Sequence, residues 1–128
     1  MQGGELKHLL IQHGRFEEHI IKFYAVQIID AVKCLHRWDI AHRDLKLENI
    51  LVDDNGYLIV IDFGISKEIG TNMRTGTVCG SLDNMAPEIF GRKGYNKGVD
   101  WWAVGIMLFE LLVGKNPYNL EDVDLEEE

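Results

Sequence analysis

The stretch from His42 to Gly64 reads H-R-D-L-K-L-E-N-I-L-V-D-D-N-G-Y-L-I-V-I-D-F-G. Two β-prone runs, Ile50-Leu51-Val52 and Tyr57-Leu58-Ile59-Val60-Ile61, stand on either side of Asn55-Gly56, residues able to take the positive φ angles of a tight turn. The spacing predicts a β-hairpin. A hairpin brings its two ends together, so His42-Arg43-Asp44 with Lys46 and Asn49, and after it Asp62-Phe63-Gly64, are expected to meet at its open end.

Asn49 and Asp62 would there offer amide and carboxylate oxygens, the ligands that hard Mg²⁺ prefers. Phosphoryl transfer needs such a cation to neutralise charge on phosphate oxygens, and a positioned acceptor for the proton of the attacking hydroxyl. Asp44 is free for the second role, and Lys46, two residues on, can point at the phosphate. H-R-D-L-K-x-x-N followed by D-F-G resembles the catalytic loop and metal-binding motif of eukaryotic protein kinases. The lysine within D-L-K-x-E-N is similar to the serine/threonine type.

The resemblance implies a set of roles. Asp44, Lys46, Asn49 and Asp62 would be catalytic, with Asn49 and Asp62 holding Mg²⁺ and with ATP as the phosphate donor. Glu5, in a G-G-E-L that resembles the segment after the interlobe hinge, would reach the ribose. Leu51 would form the floor under adenine, and Glu48 belongs to the same binding region, where it would also attract a basic residue upstream of the acceptor.

With 128 residues and 46% hydrophobic content the chain can form one ordinary globular core. A whole protein kinase is roughly twice as long, so the resemblance implies a piece of one. The net charge of −8 is concentrated at one end, because residues 121–128 hold six of the 21 acids and no base. The body is then nearly neutral, and no basic patch with interleaved aromatics argues for nucleic acid. Cys34 and Cys79 lack metal-ligand spacing, and no signal peptide is read, so a reducing, cytoplasmic setting is expected. The longest apolar run, Trp101 to Phe109, is too short to cross a bilayer, and no membrane role is expected.

Along the chain, residues 5–11 suit a short helix. From Phe16 to Trp38, apolar positions Phe16, Ile20, Phe23, Ile28, Ala31 and Leu35 fall at helical spacing, with Glu17 and Glu18 early and Lys33, His36 and Arg37 late, as the helix dipole favours. This predicts a long scaffold helix that delivers the catalytic loop, with His19 and His36 on its surface. The segment from Ile65 to Met85 is rich in Gly, Thr and Ser and without period, which marks it as functional or disordered. Asn96 to Gly114 contains Asp100-Trp101-Trp102-Ala103-Val104-Gly105 and is apolar on nearly every side, so a buried helix is expected. A calcium loop at Asp53-Asp54-Asn55-Gly56 lacks the acidic ligand at its end, and a turn accounts for it.

On the resemblance, Ile65 to Met85 is the activation segment, closed by Ala86-Pro87-Glu88. T-V-C-G-S and G-Y-N-K-x-V-D-W-W-A are similar to the AGC group, which includes the cyclic-nucleotide-dependent kinases. Thr77 would be the site of an upstream activating kinase, its phosphate adding about −1.5 to −2 charge and pairing with Arg43. Ser81 would contact Asp44, and Asp100 would hold the backbone of the H-R-D segment. Leu47 replaces the proline of D-L-K-P-E-N, and Leu82-Asp83-Asn84 stands where that group has Pro-Glu-Tyr.

The expected fold is mainly α with a small β-hairpin, a partial kinase C-terminal lobe over residues 1–118 with an acidic tail at 119–128. The implied function is transfer of the ATP γ-phosphate to Ser/Thr hydroxyls of protein substrates. These 128 residues contain neither G-x-G-x-x-G nor V-A-x-K, so the chain alone is expected to be inactive. The alternative is a non-catalytic lobe that binds partners or substrates.

Overall fold

The computed structural model describes residues 4–71 and 73–118; the acidic tail expected over 119–128 lies outside them. Helix α1 spans Leu6–His13 and α2 spans Glu18–Arg37, close to the predicted bounds. In α2 the buried stripe is Ile21, Tyr24, Ile28 and Val32, one position away from most of the apolar set read from the sequence. Phe23 is exposed on one flank, while Ile20 and Phe16 pack at the edge of the core. The sequence offers two overlapping apolar stripes here, and only contact with the rest of the core chooses between them.

Strand β1 (Ile40–Ala41) follows α2, and the hairpin consists of β2 (Ile50–Val52) and β3 (Leu58–Val60), registered Ile50 to Val60 and Val52 to Leu58. Its turn is longer than a two-residue Asn-Gly connection. Asp53 Oδ1 accepts the N–H groups of Asn55 and Tyr57, both at 2.9 Å, and Gly56 alone takes positive φ (84°). The aspartate side chain thus organises the turn, as Asx motifs do.

Beyond the hairpin the expected irregular segment is tied down at intervals. Strand β4 (Lys67–Glu68) pairs antiparallel with β1, Thr75 bridges to Tyr95, and 3₁₀ turns form at Leu82–Asn84 and Pro87–Phe90. Helix α3 (Val99–Val113) then crosses α2. It ends at Gly114 (φ 91°), where a Cβ would collide with the carbonyl oxygen of Gly14, itself the C-cap of α1. The ends of α1 and α3 approach this closely because Gly114 carries no side chain; a Cβ on Gly14 would meet nothing within 4 Å, and its φ of 77° is what favours glycine there.

The main core gathers Leu6 and Leu10 of α1, the α2 stripe, Leu45, Leu47, Ile50 and Val52, and Ala103, Val104, Met107 and Leu111 of α3. Helix α3 is not buried on every side: Trp101, Trp102, Phe109, Leu112 and Val113 are exposed. Among the described residues, α2 and the Leu82–Asn84 turn are its main neighbours, which leaves this face uncovered. No helix among the described residues is long and apolar enough to cross a membrane.

Candidate active site

The loop between β1 and β2 is fixed from below by one carboxylate. Asp100, in the first turn of α3 and 1% exposed, accepts the N–H of His42 through Oδ2 (2.9 Å) and the N–H of Arg43 through Oδ1 (3.0 Å). His36 Nε2 donates to Oδ2 as well, at 2.9 Å. His36 is therefore part of this support rather than a surface residue, whereas His19 is exposed as expected. With its N–H held, Arg43 takes a φ of 71°, a conformation unusual for a long side chain.

His42 is wholly buried and sets the other side of the loop. Its Nδ1 accepts the N–H of Asp44 at 3.1 Å, so the ring proton sits on Nε2, which donates to the Ile61 carbonyl at 2.9 Å. Ile61 N–H in turn donates to Asn49 O at 2.9 Å, and the Phe63 ring lies edge-on to His42 with centroids 5.0 Å apart. Asp62, between Ile61 and Phe63, is thereby carried toward the loop between β1 and β2, with φ 61°. The convergence of the two acid-bearing clusters follows from the hairpin, as its spacing predicts.

Around Asp44 the polar contacts are dense. Oδ1 accepts both the N–H (3.1 Å) and the hydroxyl (2.8 Å) of Ser81, and Lys46 Nζ donates to Ser81 Oγ at 2.8 Å. Asn49 Nδ2 donates to Asp44 O at 2.9 Å and lies 3.4 Å from Asp44 Oδ2. Gly80 makes the approach of Ser81 feasible: it has φ 103°, and a Cβ there would run into the Arg43 carbonyl oxygen. The loop between β1 and β2 and the irregular segment after the hairpin are thus joined at Asp44.

The donor set fits a hard cation. With Asn49 Nδ2 engaged by Asp44, its Oδ1 remains, and Asp62 has no ion pair among the described residues. The described residues hold no group of three or more His, Cys, Asp or Glu able to bind a metal. Two protein oxygens completed by phosphate and water is the coordination that Mg²⁺ commonly accepts. Glu5 forms an isolated bridge with Leu51, so the two residues expected at ribose and adenine are neighbours. Glu48 lies elsewhere, on the wall of a cavity of about 260 Å³ that Lys46, Ser81 and Asp83 share.

Thr77 is exposed, and its carbonyl accepts the hydroxyl of the buried Tyr95. Arg43 Nε donates to Ile65 O at 2.7 Å and Nη1 to Tyr95 Oη at 3.4 Å, so Arg43 and the Thr77 backbone share one phenol. Burial holds the Tyr95 hydroxyl above its ordinary pKa of 10.0, with the Arg43 hydrogen bond acting the other way.

The sequence matches the family described as "Protein kinase domain" over residues 1–128. The chain belongs to the protein kinase domain family. This kinase chain is 46% identical over 118 residues to the serine/threonine-protein kinase AtPK1/AtPK6 of Arabidopsis thaliana, covering 92% of the chain and 25% of that protein. It is 46% identical over 121 residues to the cAMP-dependent protein kinase catalytic subunit of Schizosaccharomyces pombe (94% and 23%), and 46% over 124 residues to the human ribosomal protein S6 kinase alpha-4 (94% and 16%). The kinase chain spans a quarter or less of the length of these relatives. Its resemblance to serine/threonine kinases of the AGC group is borne out, and its three helices and small antiparallel sheets are a partial kinase domain.

Sequence reading missed Tyr95, Lys7, Glu110, Asn84 and Asn116. Glu110 carried a signal, since it is the lone charge in the run Trp101 to Val113 after the helix start. It is 3% exposed and bonded to Lys7 and Asn116, and burial raises its pKa above the ordinary 4.5 more than those two partners lower it.

Proposed function

We propose that residues 1–118 are the C-terminal-lobe part of an ATP- and Mg²⁺-dependent protein kinase that phosphorylates serine or threonine hydroxyls of proteins, in a reducing cytoplasmic setting. The observation that carries this reading is the set of hydrogen bonds joining Asp44, Lys46, Asn49 and Ser81, with the main chain next to Asp62 tied to Asn49 by the Ile61 N–H. Cys34 and Cys79 are both free thiols, in keeping with that compartment.

Asp44 accepts the hydrogen bond of the attacking hydroxyl and thereby orients it. Lys46 stands between Ser81 and the carboxylate, 3.9 Å from Asp44 Oδ2, where its charge can steady a phosphate. Asn49 Oδ1 and Asp62 are the oxygens that would hold Mg²⁺, whose chemistry when bound is to neutralise phosphate charge. Glu5 and Leu51 line the nucleotide side, and Glu48 attracts a basic side chain of the substrate. Phosphate placed on Thr77 by an upstream kinase draws Arg43, tightening the activation segment onto Asp44.

The test is a chimera in which this chain replaces its counterpart in the S. pombe catalytic subunit. Transfer of γ-phosphate to a serine peptide is expected, with a loss of about 10²-fold or more in Asp44→Asn, and loss of transfer also in Asp62→Asn. The 128 residues alone should transfer none. A folded chimera that binds peptide without transferring phosphate would favour the non-catalytic reading instead.

A further inference from the structure

Lys7, in the first turn of α1, reaches a residue 103 positions away: its ammonium lies 3.3 Å from Glu110 Oε2. The other carboxylate oxygen, Oε1, accepts Asn116 Nδ2 at 2.7 Å. Asn116 also donates to Asn84 Oδ1 at 3.1 Å, and Asn84 Nδ2 donates to the carbonyl of Leu45, the residue after Asp44, at 3.1 Å. Both oxygens of Glu110 are therefore satisfied from within the chain, and its side chain is 4% exposed.

This network forms the inner wall of the cavity of about 260 Å³ that adjoins the hydroxyl-orienting carboxylate through Lys46 and Ser81. Glu48 and Asp83 also line it, and among the described residues neither has an ion pair. The cavity thus contains two carboxylates open to an incoming cation and a third, deeper one already matched.

We propose that Lys7 is a specificity-determining residue: by occupying Glu110 from inside the chain, it limits a substrate's basic side chain to the cavity rim at Glu48 and Asp83. The inference rests on the kinase reading above, since it takes the cavity to be part of the peptide groove. The physical ground is that a buried carboxylate attracts one cation strongly, and Lys7, tethered on α1, is present at high effective concentration. A guanidinium from solution must displace it.

Binding of fluorescent serine peptides carrying a single arginine, scanned along the positions upstream of the serine, tests this on the 128-residue chain. Lys7→Met is expected to bind the peptide with arginine at one position about tenfold more tightly than the unsubstituted chain does. Lys7→Met/Glu110→Gln should lose that gain, and Glu110→Gln alone should bind as the unsubstituted chain does. Equal affinity in Lys7→Met and the unsubstituted chain overturns the proposal while leaving the kinase reading intact. A large loss in Glu110→Gln alone also overturns it, because Glu110 would then be receiving the substrate cation; this arm decides the matter even if Lys7→Met fails to fold. Failure of every form to bind any serine peptide also overturns the proposal, while the kinase reading is decided separately by the chimera.

Discussion

Asp100 and His42 are joined through a buried bond in which the main-chain N–H of His42 donates to Asp100 Oδ2 at 2.9 Å, and the same carboxylate takes the N–H of Arg43 at 3.0 Å. Removing it leaves two main-chain donors without a partner, that of His42 buried and that of Arg43 half-buried. At about 1–3 kcal/mol for each orphaned group, Asp100→Ala is expected to destabilise the chain by at least about 2 kcal/mol. His36→Ala removes only one of the bonds to that carboxylate and should cost about 1 kcal/mol. Urea unfolding measures both, and amide exchange at His42 and Arg43 should accelerate in Asp100→Ala; protection unchanged there would mean that the loop is held by something else.

Gly80 puts a similar constraint on the other partner of Asp44. Its φ of 103° is one that L side chains rarely adopt, and a methyl group would meet the Arg43 carbonyl oxygen. The conformation alone costs an L-residue about 1–2 kcal/mol, so Gly80→Ala should lose at least that much or shift the backbone. A shift would separate the Ser81 N–H from Asp44 Oδ1, visible as a change in the Ser81 amide resonance. A Gly80→Ala chain with parental stability and an unmoved Ser81 signal contradicts this account.

The hairpin was legible because its signal is local: β-prone runs flank a turn, and whatever stands at its two ends must converge. The lengths of α1 and α2 were legible for the same reason. The face that α2 buries was not, since Phe23 and Ile21 are both apolar and only contact with the rest of the core decides between them. The roles of His36, Tyr95 and Lys7 depend on partners tens of residues away, and one sequence carries no register for such pairs. Asp100 was assigned its role by resemblance, and the geometry agrees with it.

Glu110 should give the chain a distinctive pH response. Burial raises its folded-state pKa above the ordinary 4.5, against the pull of Asn116 and Lys7, and nearby Glu48 adds to the rise. A carboxyl that holds its proton more tightly when folded favours the folded state fully below its unfolded pKa, and that contribution is lost as pH rises through the raised value. Glu110→Gln cannot ionise and keeps an oxygen for Asn116, so its melting temperature relative to the parent should climb as pH is raised above 4.5. Lys7→Met removes an influence that lowers the pKa, so that variant should lose more stability than the parent as pH rises. Melting curves recorded across that range decide it: a parent-to-variant difference independent of pH would show that Glu110 titrates no differently in the folded chain.

Among the described residues, the phenol of Tyr95 hydrogen-bonds to both Arg43 and the Thr77 backbone, and Cys79 Sγ lies 3.8 Å from it. Tyr95→Phe keeps the buried ring, 2% exposed, and deletes only the hydroxyl. The ring's packing is then unchanged, and the loss should be about 1 kcal/mol, the net worth of a hydrogen bond. Its effect should be local: the segment from Thr75 to Cys79 loses its tether to Arg43 while the bridge between Thr75 and Tyr95 main chains, 2.9 Å in both directions, persists. Limited proteolysis is therefore expected to cut Tyr95→Phe faster between Thr77 and Gly80 and nowhere else. Phosphorylation of Thr77, which offers Arg43 a stronger partner, should restore protection in the variant; a phosphorylated Tyr95→Phe chain that is cut as fast as the unphosphorylated one would remove Arg43 from the role given to it here.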